Sequence, residues 1–164
     1  INVKRIDPGS DVSTLRSHLS RLYAEREFKP AVVLIDNADD LTATNKWGAA
    51  DSSYEALGSV YIELKSLAHD FDVVVWTDSQ TNRSATSFEV ADMDVIADSH
   101  KKARKADVMI SVNQRPDERQ QGVARLALIK ARRYSKVNRL VNVVIDYPRM
   151  TLKEAVREDD EAVG

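Results

Sequence analysis

Two short apolar runs, Ala31-Val-Val-Leu-Ile35 and Val73-Val-Val-Trp-Thr77, bracket a segment with helical spacing. Neither run alternates apolar with polar residues, which is the pattern of parallel strands covered on both faces. Between them Leu57, Val60, Tyr61, Leu64, Leu67, Ala68 and Phe71 recur at three- and four-residue steps, marking one face of a helix. Strand, helix, strand in that order predicts a parallel crossover unit, and with it an α/β fold.

The flanking sequence extends this pattern. Val3 to Ile6 is a short strand candidate and Asp7-Pro-Gly-Ser10 a turn. Val12, Leu15, Leu19, Leu22 and Tyr23 share a helix face opened by Ser10 or Asp11, and Pro30 stops the chain before the next strand. Residues 41–53 and 79–91 read as loops. Asp92 caps a further helix with Met93, Ile96, Ala97 and His100 inward, and Ala106 to Val112 is another strand. Val123 to Arg132 and Arg139 to Tyr147 are extended runs joined by Arg133 to Asn138, predicting antiparallel strands added to a parallel sheet. The organisation expected is one domain over residues 1–150 and an acidic tail, 151–164, helical at first and then frayed.

At 164 residues and 43% apolar content the chain is long enough to bury a core as one domain. It has no cysteine, which excludes disulfide frameworks and thiolate metal sites. No apolar run approaches a bilayer span and no export pattern opens the sequence, so a soluble cytoplasmic protein is expected. Ile1 in place of an initiator methionine leads to the expectation that upstream sequence has been trimmed. Net charge is only −2, yet residues 101–139 hold twelve basic against three acidic side chains, a local excess of +9. Such a segment faces polyphosphate, nucleic acid or an acidic neighbour, or is simply a solvated face.

Ligands bind open parallel sheets at the carboxyl ends of the strands, where Asp36 and Gln80 fall. Asp36 there either holds a hydrated Mg²⁺ or caps a turn. Gln80 either contacts a γ-phosphate and the attacking water or makes ordinary loop hydrogen bonds. Lys130 and Arg132, two apart on a strand, leave the same face and suit either a cation pair supplied in trans to a neighbouring nucleotide or a charged strand edge. Ser79 lacks the surroundings of a nucleophile elbow. His18, His69 and His100 are too far apart to form a metal site, and Glu158-Asp-Asp-Glu161 reads as solvated tail. None of the five glycines forms a phosphate-cradling G-x-x-x-x-G-K-[ST] loop.

Taken in order, Ala31 to Asp36, Glu63 to Ala68, Val73 to Arg83 with its Ser-Gln-Thr-Asn-Arg element, Ala106 to Ile110 and Ile129-Lys-Ala-Arg132 resemble the RecA-like motor domain of DnaB-type replicative helicases, over roughly residues 1–147. The resemblance implies a RecA-like P-loop NTPase core, α/β, mostly parallel with helices on both faces and an antiparallel C-terminal hairpin, incomplete at its N-terminus. It implies ATP and Mg²⁺ as cofactors, with Asp36 as the Walker-B aspartate, Gln80 as the phosphate-sensing glutamine, and Lys130 with Arg132 as the trans-acting pair. It also implies a hexameric ring moving on single-stranded DNA, with Lys46, Trp47, Asn82 and Arg83 on loops facing the channel. Asn37 departs from the aromatic residue usual after that aspartate, and the phosphate loop and catalytic glutamate are expected upstream. A recombinase or clock-type ATPase, and a non-catalytic DNA-binding or assembly module, are the alternatives.

Overall fold

A computed structural model of the chain describes residues 1–44, 53–79, 105–133 and 139–155, which fall into two compact units. The first comprises Ile1–Gln80 with Arg104–Ala106, and the second Thr81–Ala103 with Asp107–Gly164.

The first unit is built on helix α1 (Val12–Arg26), strand β1 (Val32–Ile35), a 3-10 turn (Ala38–Asp40), helix α2 (Ser53–Asp70) and strand β2 (Val74–Thr77). Asp11 caps α1, its carboxylate accepting from the Thr14 amide at 3.1 Å and the Ser13 hydroxyl at 2.6 Å. The helix ends on Glu27 in the left-handed region, φ 49°, ahead of Pro30. Strands β1 and β2 pair in parallel with Ile35 opposite Thr77, and α2 connects them, so the predicted crossover is present. Val12, Leu15, Leu19 and Leu22 of α1 meet Val60, Leu64 and Leu67 of α2 in one core, against which Val33, Ile35 and Val75 pack. Tyr23 adds an edge-on contact with Phe71, ring centroids 5.5 Å apart, and its hydroxyl donates to the Phe71 carbonyl at 2.9 Å.

The second unit is a four-stranded antiparallel sheet in the order β3 (Val108–Asn113), β4 (Val123–Ala131), β5 (Arg139–Asp146) and β6 (Thr151–Glu154). A short helix α3 (Pro116–Gln121) links β3 to β4. Glu118 holds its start through the Arg115 amide at 2.7 Å, and Gly122 closes it at φ 68°. Small side chains line the buried face: Ala124, Ala127, Ile129, Ala131 and Val143, with Ser111 and Asn113. The Asn113 amide donates to the Ser111 hydroxyl at 2.8 Å, which makes two buried polar groups compatible with that face.

Three sequence expectations change. Val3 to Ile6 is not a strand; Ile1 and Val3 lie largely exposed, with no neighbouring strand to pair with among the described residues. Thr151 to Glu154, expected to begin a helical tail, is β6, because the turn at Tyr147–Met150 folds it back onto β5 with Asp146 opposite Thr151. Helix α3 has no counterpart in the sequence reading, since its polar residues show no helical periodicity. The expected helix after Asp92 and residues 156–164 lie outside the described residues.

Candidate functional site

The carboxyl edge of β1 and β2 is assembled from polar side chains that follow two apolar strands. Register places Ile35 beside Thr77, so Asp36 and Asp78 leave the two strands at the same edge. The Thr77 hydroxyl accepts from the amide of Ala38, a fully buried residue, at 3.0 Å. It lies 2.9 Å from the Ile35 carbonyl, to which it donates. One threonine thereby ties the end of β2 to both sides of the Asp36 corner. Asn37 completes the corner: its side-chain carbonyl accepts from the Asp39 amide at 2.9 Å and caps the 3-10 turn. That local bond gives a physical role to the residue that departs from the family pattern.

Asp36 is exposed, and among the described residues its carboxylate has no hydrogen-bond or ion-pair partner. Asp39, three residues on, is engaged differently. Its Oδ1 accepts from the Tyr61 hydroxyl on α2 and its Oδ2 from the Ser79 hydroxyl beyond β2, each at 2.9 Å. Burial, and then the Asp39 charge beside it, push the Tyr61 phenol well above its ordinary range, so Tyr61 is a neutral donor at any physiological pH.

Lys130 and Arg132 lie at the far end of β4 in the second unit. Ile129 and Ala131 are buried while Lys130 is half-buried and Arg132 exposed, so the two cations do share the opposite face, as predicted. Pairing with β3 shifts by one residue just before Lys130, a bulge that re-aims the strand end. Arg132 Nε is 3.4 Å from Asp107 Oδ1, with both side chains about half exposed or more. Such a pair is worth about 0–1 kcal/mol, so the guanidinium exchanges partners at little cost.

Gln80, Lys46, Trp47, Asn82 and Arg83 lie outside the described residues. Among the described residues no group of three or more His, Asp or Glu is placed to enclose a metal, and no helix is long and apolar enough to cross a membrane. Sequence reasoning misses Thr77, Asp39 and Tyr61 as site residues. Thr77 reads as strand and Tyr61 as apolar helix face, so only the three-residue spacing of Asp39 from Asp36 offers a signal.

A parallel strand pair presenting an exposed aspartate at its carboxyl edge, together with an antiparallel sheet carrying a Lys-x-Arg pair, defines an α/β protein of the RecA-like motor class. Comparison with known proteins agrees. The chain is similar to a DnaB-like replicative helicase of Enterobacteria phage T4, 28% identical over 104 residues, covering 63% of this chain and 22% of that protein. Among solved structures it matches an isolated ATPase domain with TM-score 0.72 at 18% identity, covering 90% of this chain and 52% of that one. It also matches a DnaB-like replicative helicase studied with its interactions with primase, TM-score 0.65 at 20% identity, over 85% of this chain and 34% of that one. No protein-family model matches. The resemblance to the DnaB-type helicase motor domain, with its RecA-like fold, therefore stands on both sequence and structure, and the chain spans about half or less of each relative's length.

Proposed function

We propose that this chain forms part of the motor of an ATP-dependent replicative DNA helicase, in which hydrolysis between ring protomers drives movement on single-stranded DNA. The observation that supports this best is the carboxyl edge of β1 and β2, where an exposed Asp36, unpartnered among the described residues, stands beside the chain leading to Gln80. An exposed carboxylate with no competing cation among those residues suits Mg²⁺, which takes oxygen ligands and keeps several waters. Asp36 would hold the ion through water, and the bound ion supplies charge neutralisation to the phosphate oxygens. Gln80 orients the attacking water and senses the γ-phosphate, while Lys130 and Arg132 reach the neighbouring protomer's nucleotide and stabilise developing charge. Lys46, Asn82 and Arg83 contact DNA phosphates, and Trp47 stacks on a base. The assembly is a hexameric ring in the cytoplasm.

The test uses the complete protein on a forked DNA duplex with ATP and Mg²⁺. Unwinding is expected, with Asp36→Asn and Arg132→Ala each lowering turnover at least about 100-fold while nucleotide still binds. Hydrolysis without unwinding would favour the recombinase or clock-type alternative. Near-normal turnover in Arg132→Ala would refute the trans assignment.

A further inference from the structure

The bonds of Asp39 serve three separate elements at once. Its backbone sits in the 3-10 turn directly after Asp36, one carboxylate oxygen takes the Tyr61 hydroxyl from the middle of α2, and the other takes the Ser79 hydroxyl from the chain beyond β2. Nothing in the strand pairing requires this, because the last register pair is Ile35 with Thr77, two residues before Ser79. A hydroxyl two residues past a strand end can turn to solvent, and Ser79 is itself exposed, yet it is drawn back onto a carboxylate. The turn presenting that carboxylate is fixed in turn by Thr77 and Asn37. Tyr61 stays protonated, so its donation to Asp39 persists whatever the pH of the cell.

We infer that Asp39 is a positioning residue which clamps Ser79 to the Asp36 corner and to α2, and thereby fixes the start of the loop that follows β2. The inference rests on the motor function proposed above, since Ser79 immediately precedes Gln80 in the sequence. Consecutive α-carbons are about 3.8 Å apart, so holding Ser79 limits where the next residue begins. An amide that must meet a γ-phosphate and water in the transition state depends on that starting point more than ground-state nucleotide binding does. Displacement of a reacting group by about 1 Å costs on the order of 100-fold in rate.

The experiment measures steady-state ATP hydrolysis by the complete protein carrying Asp39→Asn, Ser79→Ala, both together, or Ser79→Thr, with Asp36→Asn as control. Asp39→Asn and Ser79→Ala are each expected to lower kcat about 10- to 100-fold with KM for ATP within about threefold. The double variant should be no worse than Asp39→Asn alone, because both remove one bond. Ser79→Thr, which keeps the hydroxyl, should recover most of the wild-type kcat. Should Asp39→Asn fold poorly, Ser79→Ala removes only an exposed hydroxyl and carries the test, with its thermal midpoint as the control. A wild-type kcat in Ser79→Ala, an effect confined to KM, or a fully additive double variant would each overturn the inference. If Asp36→Asn also turns over normally, the nucleotide-site assignment falls as well; if that control is inactive, only the role of Asp39 is refuted.

Discussion

Replacing Thr77 by Val tests how the Asp36 corner is held, because the two side chains share a shape and differ by one hydroxyl. Ala38 is fully buried, and its amide donates to the Thr77 oxygen at 3.0 Å. In Thr77→Val that N–H faces a methyl group where solvent does not reach. A buried donor left unsatisfied costs about 1–3 kcal/mol, and the midpoint, about 2 kcal/mol, is expected here. Thr77→Ser is the matched control: it keeps the oxygen and loses one methyl group, about 0.8 kcal/mol at most. With a urea slope of about 2 kcal/mol per molar, Thr77→Val should lower the unfolding midpoint by about 1 M and Thr77→Ser by less than half of that. Amide exchange offers a local check, since about 2 kcal/mol of lost protection corresponds to roughly 30-fold faster exchange at Ala38. A Val variant as stable as the Ser variant, or an unchanged Ala38 exchange rate, would refute the assignment of Thr77 as the tie between the strand ends.

Further perturbations probe the second unit and the acid limit. Glu118 Oε2 receives Arg125 Nη2 at 2.7 Å, with side-chain exposures of 18% and 13%, and Arg125 Nε is buried without a partner among the described residues. Glu118→Ala should therefore cost about 2 kcal/mol by urea titration, somewhat below the loss for breaking a fully buried pair. A Cβ at Gly122 would meet the Ile145 carbonyl oxygen at 2.8 Å, from a residue at φ 68°, so Gly122→Ala should cost about 2–3 kcal/mol on the same assay. The bond from Arg16 to Asp70 and that from Ser13 to Asp11 hold both carboxyls below the ordinary aspartate range. Their folded pKa values are depressed, so their contribution is present above about pH 4 and is lost as pH falls through the folded values. Arg16→Ala should flatten the acid side of the stability profile measured between about pH 5 and pH 2.

Much of the fold was legible because it rests on apolar spacing. Val12, Leu15, Leu19 and Leu22 form the inner face of α1, and Val60, Leu64 and Leu67 that of α2, as their intervals predict. The two strands of the crossover and the run Val123 to Ala131 were equally plain. What escaped depends on local bonds. Helix α3 is six polar residues held by Pro116, Glu118 and Gly122, and β6 exists because a turn returns Thr151 to Asp146. At the candidate site, Asp36 was legible from its place after a strand and Lys130 with Arg132 from their spacing. Asp39, Tyr61 and Thr77 were not, because a carboxylate bridging a helix and a loop leaves no period in the sequence.

The crossover strands show why apolar pattern and observed burial need not coincide. Val33, Ile35 and Val75 turn toward α1 and α2, whereas Val32, Leu34, Val74 and Trp76 are 51%, 75%, 58% and 54% exposed. A strand built to show one face to water would carry polar residues at those alternate positions. These two carry large apolar ones, and four such side chains on adjacent strands form a patch of the kind soluble proteins seldom leave open. The chemistry of the strands thus calls for a second covering layer on the face opposite α1 and α2, as in a doubly covered parallel sheet. Their identity as parallel core strands was readable because apolarity on both faces is written into the sequence, whichever layer the described residues supply.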